Sequence, residues 1–293
     1  MGLRELLKSG AFYFQRITMQ NKAKRIAPQV DVFLGVNHPP VSVRPRFEYE
    51  SLLQDALAKV PQSSSLANII LAKILEKELA NNKEVDAYAF VVPTIPHTVF
   101  IDPQSCYKIF TGKIKTRTID QLLAHEITHD RVKEHRSQDP RYRACNPHKG
   151  SFQIIEEGFA EFVTERVVGF YPKSDVRVWS EMCDERDELE TRKASEKTVD
   201  ESYLDRLKEY MSKLRSESPA QGARAQGYHF FMKIAAAFGD KHAISLGLNP
   251  LRDDVPGDLG SIGISMFDWQ KKLYKVNRDE LENPEKYIER ITK

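Results

Sequence analysis

The sequence predicts an α+β fold, mostly helical, with a small mixed sheet. Three observations carry that expectation. Apolar residues recur at helical spacing through most of the chain, and β-branched and aromatic residues concentrate in one stretch before residue 102. Prolines inside that stretch also argue for an edge strand or a bent hairpin rather than a central strand.

In chain order, residues 3–25 suit a helix with Leu3, Leu6, Leu7 and Phe14 as its apolar surface, and Pro28 should stop it. Val30 to Val36 then reads as a strand, closed by His38-Pro39-Pro40. Helical patterns follow over 48–59 and 64–82, the second with Leu66, Ile69, Ile70 and Ile74 at helical spacing. Asp86 to Val92 and His97 to Ile101 read as strands. Pro93 and Pro96 between them make an edge strand or a bent hairpin the expectation.

A helix over 118–135 comes next, opened by a capping box of Thr118 and Gln121 and anchored by Ile119, Leu122, Leu123 and Ile127. A polar loop runs through Asp139-Pro140 and Asn146-Pro147 to a helix over 151–168. Beyond Pro172 the chain is helical: 183–217 is dense in mixed charge and reads as solvated surface, and 222–238 as a buried helix. Three regions are expected: 1–85, a helical and strand region packing on a core; 86–170, the core; and 171–293, a helical subdomain.

The 293 residues carry 44 basic and 42 acidic side chains, a formal charge of +2. That balance leaves no electrostatic footprint for nucleic acid or for an anionic membrane. Cys106, Cys145 and Cys183 are scattered, form no Cys-x-x-Cys pair, and point to ordinary thiols in a reducing compartment. The N-terminal stretch has no secretory pattern, and no run approaches eighteen apolar residues. A soluble, cytoplasmic protein is expected, with oligomeric state open.

The chemistry is carried by His125-Glu126-Ile127-Thr128-His129. Positions i and i+4 of a helix share a face, so His125 and His129 can offer two imidazole nitrogens to one metal ion, zinc being the usual occupant. Glu126 is placed to act on a metal-bound water as general base rather than as a ligand. The residues therefore predict a zinc-dependent hydrolase.

A catalytic zinc takes three protein ligands and keeps one position open. His135 has the metzincin spacing, but Val132 stands where that turn needs Gly, so the helix should simply continue. His148 is a second option. Glu157 is the strongest, since Glu157, Glu161 and Glu165 repeat every four residues and line one side of a helix. Stacked carboxylates repel unless a cation or a basic partner compensates them. A metal on Glu157 would do so, with Glu161 accepting the free N–H of a ligand histidine and Glu165 left as solvated surface. Gly158 and Ala160 would leave room for the His125 helix to approach. Phe152, Ile155, Phe159, Phe162 and Val163 form the opposite, core-facing side.

With its two motifs, His125 to His129 and Glu157-Gly158-Phe159-Ala160-Glu161, the chain resembles the gluzincins, zinc metallopeptidases that draw their third ligand from a following helix. The resemblance implies a zincin-like fold, His125, His129 and Glu157 on Zn2+, and Glu126 as base and proton shuttle. It also implies peptide or protein substrates, held along an edge strand bordering the active-site helix, here within Asp86 to Ile101.

The resemblance covers residues 86–168. It departs in a longer gap from His129 to Glu157 and in lacking a Gly-x-Met-Glu-Asn exopeptidase signature. Gly227 to Phe230 is similar to a Tyr-x-x-Gly-x-x-Phe element of some metallopeptidases, with Arg224 in place of the Tyr. Tyr228 and His229 are the candidates for stabilising the oxyanion, although buried Tyr and His more often serve ordinary hydrogen bonding. Two rivals stand beside this expectation. One is a zincin-like binding or regulatory module with a structural or occluded zinc. The other is a protease of nucleic-acid-bound proteins using His148, whose segment to Phe152 is similar to that of proteases digesting DNA–protein crosslinks.

Overall fold

The computed structural model describes residues 3–61, 88–92, 94–113, 117–138, 151–169, 175–195, 198–217 and 219–250, with isolated positions within 72–79 and at 279 and 286. The described chain is mostly helical and has one three-stranded mixed sheet, in agreement with the α+β expectation. It divides into two compact units, Met1–Glu134 with Val167–Gly169, and His135–Arg166 with Phe170–Lys293.

The first unit opens with helix α1, Leu3–Leu34, which runs straight through Pro28. The strand expected at Val30 to Val36 does not form. Met19, Ala23, Ile26, Ala27, Val30 and Leu34 are buried at intervals of three and four, while Val32 is 82% exposed. Burial of one helical face there outweighs both the β-branched composition and the hydrogen bond lost at Pro28. What ends the helix is Gly35. Its φ of 69° lets Val36 N–H reach Asp31 O at 3.0 Å and Gly35 N–H reach Val32 O at 3.3 Å, a Schellman arrangement.

Strand β1, Ser42–Pro45, was not anticipated. It pairs in parallel with β3, Thr98–Ile101, while β2, Ala89–Val91, pairs with β3 antiparallel. The order is β1-β3-β2, so the expected hairpin is present with β3 central and β2 at an edge. On the β1 side, Gln20 of α1 donates to Val41 O and accepts from Val43 N–H, both at 2.8 Å, which satisfies part of that edge.

Helix α2, Tyr49–Lys59, matches the expected 48–59. The pattern over 64–82 lies largely outside the described residues. Tyr49, Leu53, Leu75 and Phe100 form a buried cluster beneath the sheet. Helix α3, Pro103–Phe110, is capped by Asp102, which accepts from Ser105 N–H at 2.9 Å. Cys106 on α3 and Cys183 in the second unit are buried free thiols, as expected. Burial, with Asp102 adding, pushes the Cys106 thiol up to about 12. Cys145 lies outside the described residues.

Helix α4, Ile119–Ser137, starts as the capping box requires: Thr118 N–H donates to Gln121 Oε1 at 2.9 Å, and Gln121 N–H to Thr118 Oγ1 at 3.2 Å.

The second unit is built from helices α5, Ser151–Val168; α6, Asp175–Ala194; α7, Glu201–Glu217; α8, Pro219–Phe238; and α9, Asp240–Leu248. Helices α5, α6, α7 and α8 meet the sequence expectations for 151–168, the charged 183–217 stretch and the buried 222–238 stretch. Phe159 and Phe162 of α5 pack on Phe231 of α8 at ring separations of 5.0 and 6.0 Å. Where α5 and α8 approach, Gly158 faces Gly227 backbone to backbone. A Cβ added at Gly158 would sit 2.2 Å from Gly227 C and Cα. No helix of the described residues is long and apolar enough to cross a membrane.

Candidate metal centre

Helix α4 positions His125, Glu126 and His129, and it is an unusual helix. Every residue from Gln121 to Val132 is buried, whether apolar or charged. His125 is fully buried, Glu126 is 6% exposed and His129 8%. One helical turn brings the two imidazoles edge to face at 83°, with ring centroids 4.7 Å apart. Their Nε2 atoms converge to 3.1 Å. Two nitrogens bound to one tetrahedral zinc at its usual bond lengths lie about 3.3 Å apart. The separation is therefore close to that of two nitrogens at adjacent corners of a zinc coordination shell. The metal-free alternative, one imidazole donating to the other, satisfies the same distance.

The turn that follows ties α4 to the rest of its unit. Arg131, fully buried, donates to Asp31 of α1 at 2.8 Å, to Asp130 at 2.9 Å and to Pro39 O at 2.9 Å. Asp130 in turn accepts from the backbone N–H of His97 at 2.9 Å. Among the described residues, His97 is the non-glycine residue with a positive φ, 55°, just ahead of β3. Glu134 Oε2 lies 2.9 Å from His38 Nδ1 and 3.4 Å from His97 Nδ1. A residue away, Lys133 donates to Val91 O of β2 at 3.2 Å, so the edge strand lies beside α4. Sequence reasoning missed this network. Asp31 and Arg131 are a hundred positions apart, and nothing local marks them as partners.

Glu157 and Glu161 lie on α5. Glu161 is 3% exposed, and Glu157 is about a quarter exposed at its side chain. Arg224 of α8 donates from Nε to Glu157 Oε2 at 2.7 Å. One turn on, Tyr228 donates its hydroxyl to Glu165 at 2.6 Å. Glu165 is thus not left as solvated surface: α8 supplies it a hydrogen bond. The carboxylate ladder has a basic partner inside its own unit, so its repulsion does not by itself call for a metal. Gly158, expected to make room for the His125 helix, has Gly227 as its close neighbour. Ile155, Phe159, Phe162 and Val163 form the buried side of α5, as expected; the Phe152 side chain lies outside the described residues.

The two residues expected at the oxyanion differ. Tyr228 is 4% exposed, and burial together with the Glu165 carboxylate raises the pKa of its hydroxyl, whose single proton goes to Glu165. His229 lies 3.5 Å from both Asp184 and Asp187 of α6. Burial outweighs those carboxylates and lowers its pKa. His135 continues α4 by another turn, as the valine at 132 led us to expect. His148 lies outside the described residues.

No family model matches the chain, and comparison with curated proteins and with solved structures gives no match.

Proposed function

We propose that the chain is a zinc metallopeptidase of zincin-like fold that hydrolyses peptide bonds, with His125 and His129 as two ligands and Glu126 as general base. The observation that carries this reading is the 3.1 Å convergence of two buried imidazole nitrogens one turn apart, with a buried carboxylate on the adjacent residue. A surface helix bearing two unrelated histidines has no reason to bury all three groups.

Glu157 is proposed as the third ligand. Its place in the sequence supports this: Glu157 opens the carboxylate ladder of the helix that follows the two histidines, where the gluzincins that the chain resembles carry their third ligand. Two imidazoles and a carboxylate match the chemistry of a catalytic site that keeps a position for water. When bound, zinc supplies Lewis acidity, lowering the pKa of a water and polarising a carbonyl oxygen.

The chain's own groups do the rest. Glu126 accepts the proton from the attacking water and delivers it to the departing amine. Glu161 accepts the remaining N–H of a ligand histidine and so fixes its tautomer. Tyr228 and His229 are proposed for the developing oxyanion; Tyr228 would first have to release Glu165. Strand β2, an edge beside α4, is proposed to pair with an extended peptide. The two free thiols accord with a reducing, cytoplasmic location.

Glu126→Gln should keep zinc bound while hydrolysis of a denatured protein falls by about 10²- to 10⁴-fold, the range for loss of a general base. Undiminished hydrolysis in that variant would sink the mechanism. Chelator-insensitive behaviour with no cleavage would favour a binding module instead. For the third ligand, Glu157→Ala should weaken zinc retention far more than His135→Ala or His148→Ala. The reverse order in a metal assay would move the assignment.

A further inference from the structure

We propose that Arg224 is a positioning residue that holds the Glu157 carboxylate in the orientation needed to bind the metal. This rests on the assignment of Glu157 as a ligand. The Nε–H of Arg224 meets Glu157 Oε2 at 2.7 Å, the length of a charge-assisted hydrogen bond. Both side chains are about two-thirds buried, at 32% and 27% exposure, so solvent screens them only in part.

Their backbones are fixed as well. Gly158, next to Glu157, meets Gly227 at a distance that excludes a Cβ, and Gly227 lies one turn beyond Arg224 on α8. A guanidinium and a carboxylate mounted on two helices in backbone contact have little freedom to separate. The neighbouring rung shows the same construction: Tyr228, four residues on from Arg224, donates to Glu165, eight residues on from Glu157. Helix α8 thus presents a donor to each of these two carboxylates of the α5 ladder.

A carboxylate ligand usually takes a hydrogen bond from the surrounding protein, because a free carboxylate rotates and must be ordered when the ion arrives. Arg224 performs that ordering in advance. The electrostatic effect runs the other way, since a guanidinium near a dication disfavours metal binding. The sign of a substitution therefore separates positioning from simple charge balance.

The test is zinc affinity, measured on the full chain by competition with a chromophoric chelator. Arg224→Gln should bind zinc about 10- to 100-fold more weakly than the wild type, the usual loss when a ligand's supporting hydrogen bond is removed. Arg224→Lys should recover part of that affinity, and the Co2+-substituted absorption spectrum should change in Arg224→Gln. Glu165→Gln, which removes the neighbouring rung, should leave zinc affinity unchanged. Equal or tighter zinc binding by Arg224→Gln would overturn the positioning role alone, provided the wild type binds zinc and Glu157→Ala does not. A wild type that binds no zinc, or a Glu157→Ala variant that binds it normally, would overturn the ligand assignment and this role with it.

Discussion

Helices α4 and α5 carry the two halves of the proposed donor set, and they differ in how much of their charge they bury. Helix α4 is buried all round from Gln121 to Val132, its charged side chains included. Two of those groups are answered from within their unit, Arg131 by Asp31 and Asp130, and Asp130 by the His97 backbone. Helix α5 is buried in the same way from Gly158 to Thr164, Glu161 included, but not at Glu157 or Glu165. Phe159 and Phe162 pack on Phe231 of their own unit, while Glu157 and Glu165 take donors from α8 and stay partly accessible. A helix held by packing needs only an apolar face. A helix that buries imidazoles, carboxylates and a guanidinium together demands a specific partner for each. That demand is why the functional reading attaches to α4 first.

The largest effect expected from breaking this contrast is at Arg131. Arg131→Met keeps much of the volume but strands Asp31 and Asp130, and removal of one partner from a buried pair costs about 3–5 kcal/mol. Urea denaturation should show that loss. A change under about 1 kcal/mol would mean that the α4 network adds no more than a surface pair does.

The same contrast explains what the sequence reveals. The capping box at Thr118 and Gln121 was legible because both partners lie within one turn, as were the extents of α4 and α5 and the continuation of α4 past Val132. The imidazole pair was legible for the same reason, since a four-residue spacing on a helix leaves one geometry. The strand expected at Val30 to Val36 failed because burial of Val30 and Leu34 on the face begun by Met19 outweighs the local β-branched composition. Strand β1 escaped notice because its partner begins 56 residues later, Ser42 opposite Thr98. Arg131–Asp31 and Arg224–Glu157 are invisible for the same reason: long-range charge pairs leave no periodic trace. Glu165 was misjudged because its partner, Tyr228, comes from another helix.

A smaller effect is expected on the α5 side, where the sensitive feature is steric rather than ionic. Gly158→Ala would place a Cβ 2.2 Å from two backbone atoms of Gly227 and 2.6 Å from Tyr228 N. Backbone cannot rotate aside as a side chain can, so α5 and α8 must separate, at the upper end of the about 1–3 kcal/mol typical of overpacking. Zinc affinity should fall with it, since the same crossing holds Glu157 against Arg224. Wild-type thermal stability in Gly158→Ala would show that the two helices are free to move apart.

The smallest effect tests whether ion pairs of the second unit matter as those of the first do. Asp187 of α6 accepts from Lys233 of α8 and from Arg186, a cluster still partly open to solvent. Burial acts to raise its pKa, but those two cations overcome it and hold the carboxyl at about 2, below the ordinary carboxylate value. A carboxyl depressed on folding lends stability that is complete above about pH 4 and is lost as the pH falls toward 2. Because the group is screened by solvent, Lys233→Ala should cost no more than about 1 kcal/mol at pH 7. That difference from the wild type should shrink as the pH drops from about 4 toward 2, and also in about 1 M salt, where the screening length is only about 3 Å. A cost that persists unchanged at low pH or in high salt would belong to the packing of the lysine stem rather than to its charge. The contrast between buried and open ion pairs would then fail at its weaker end.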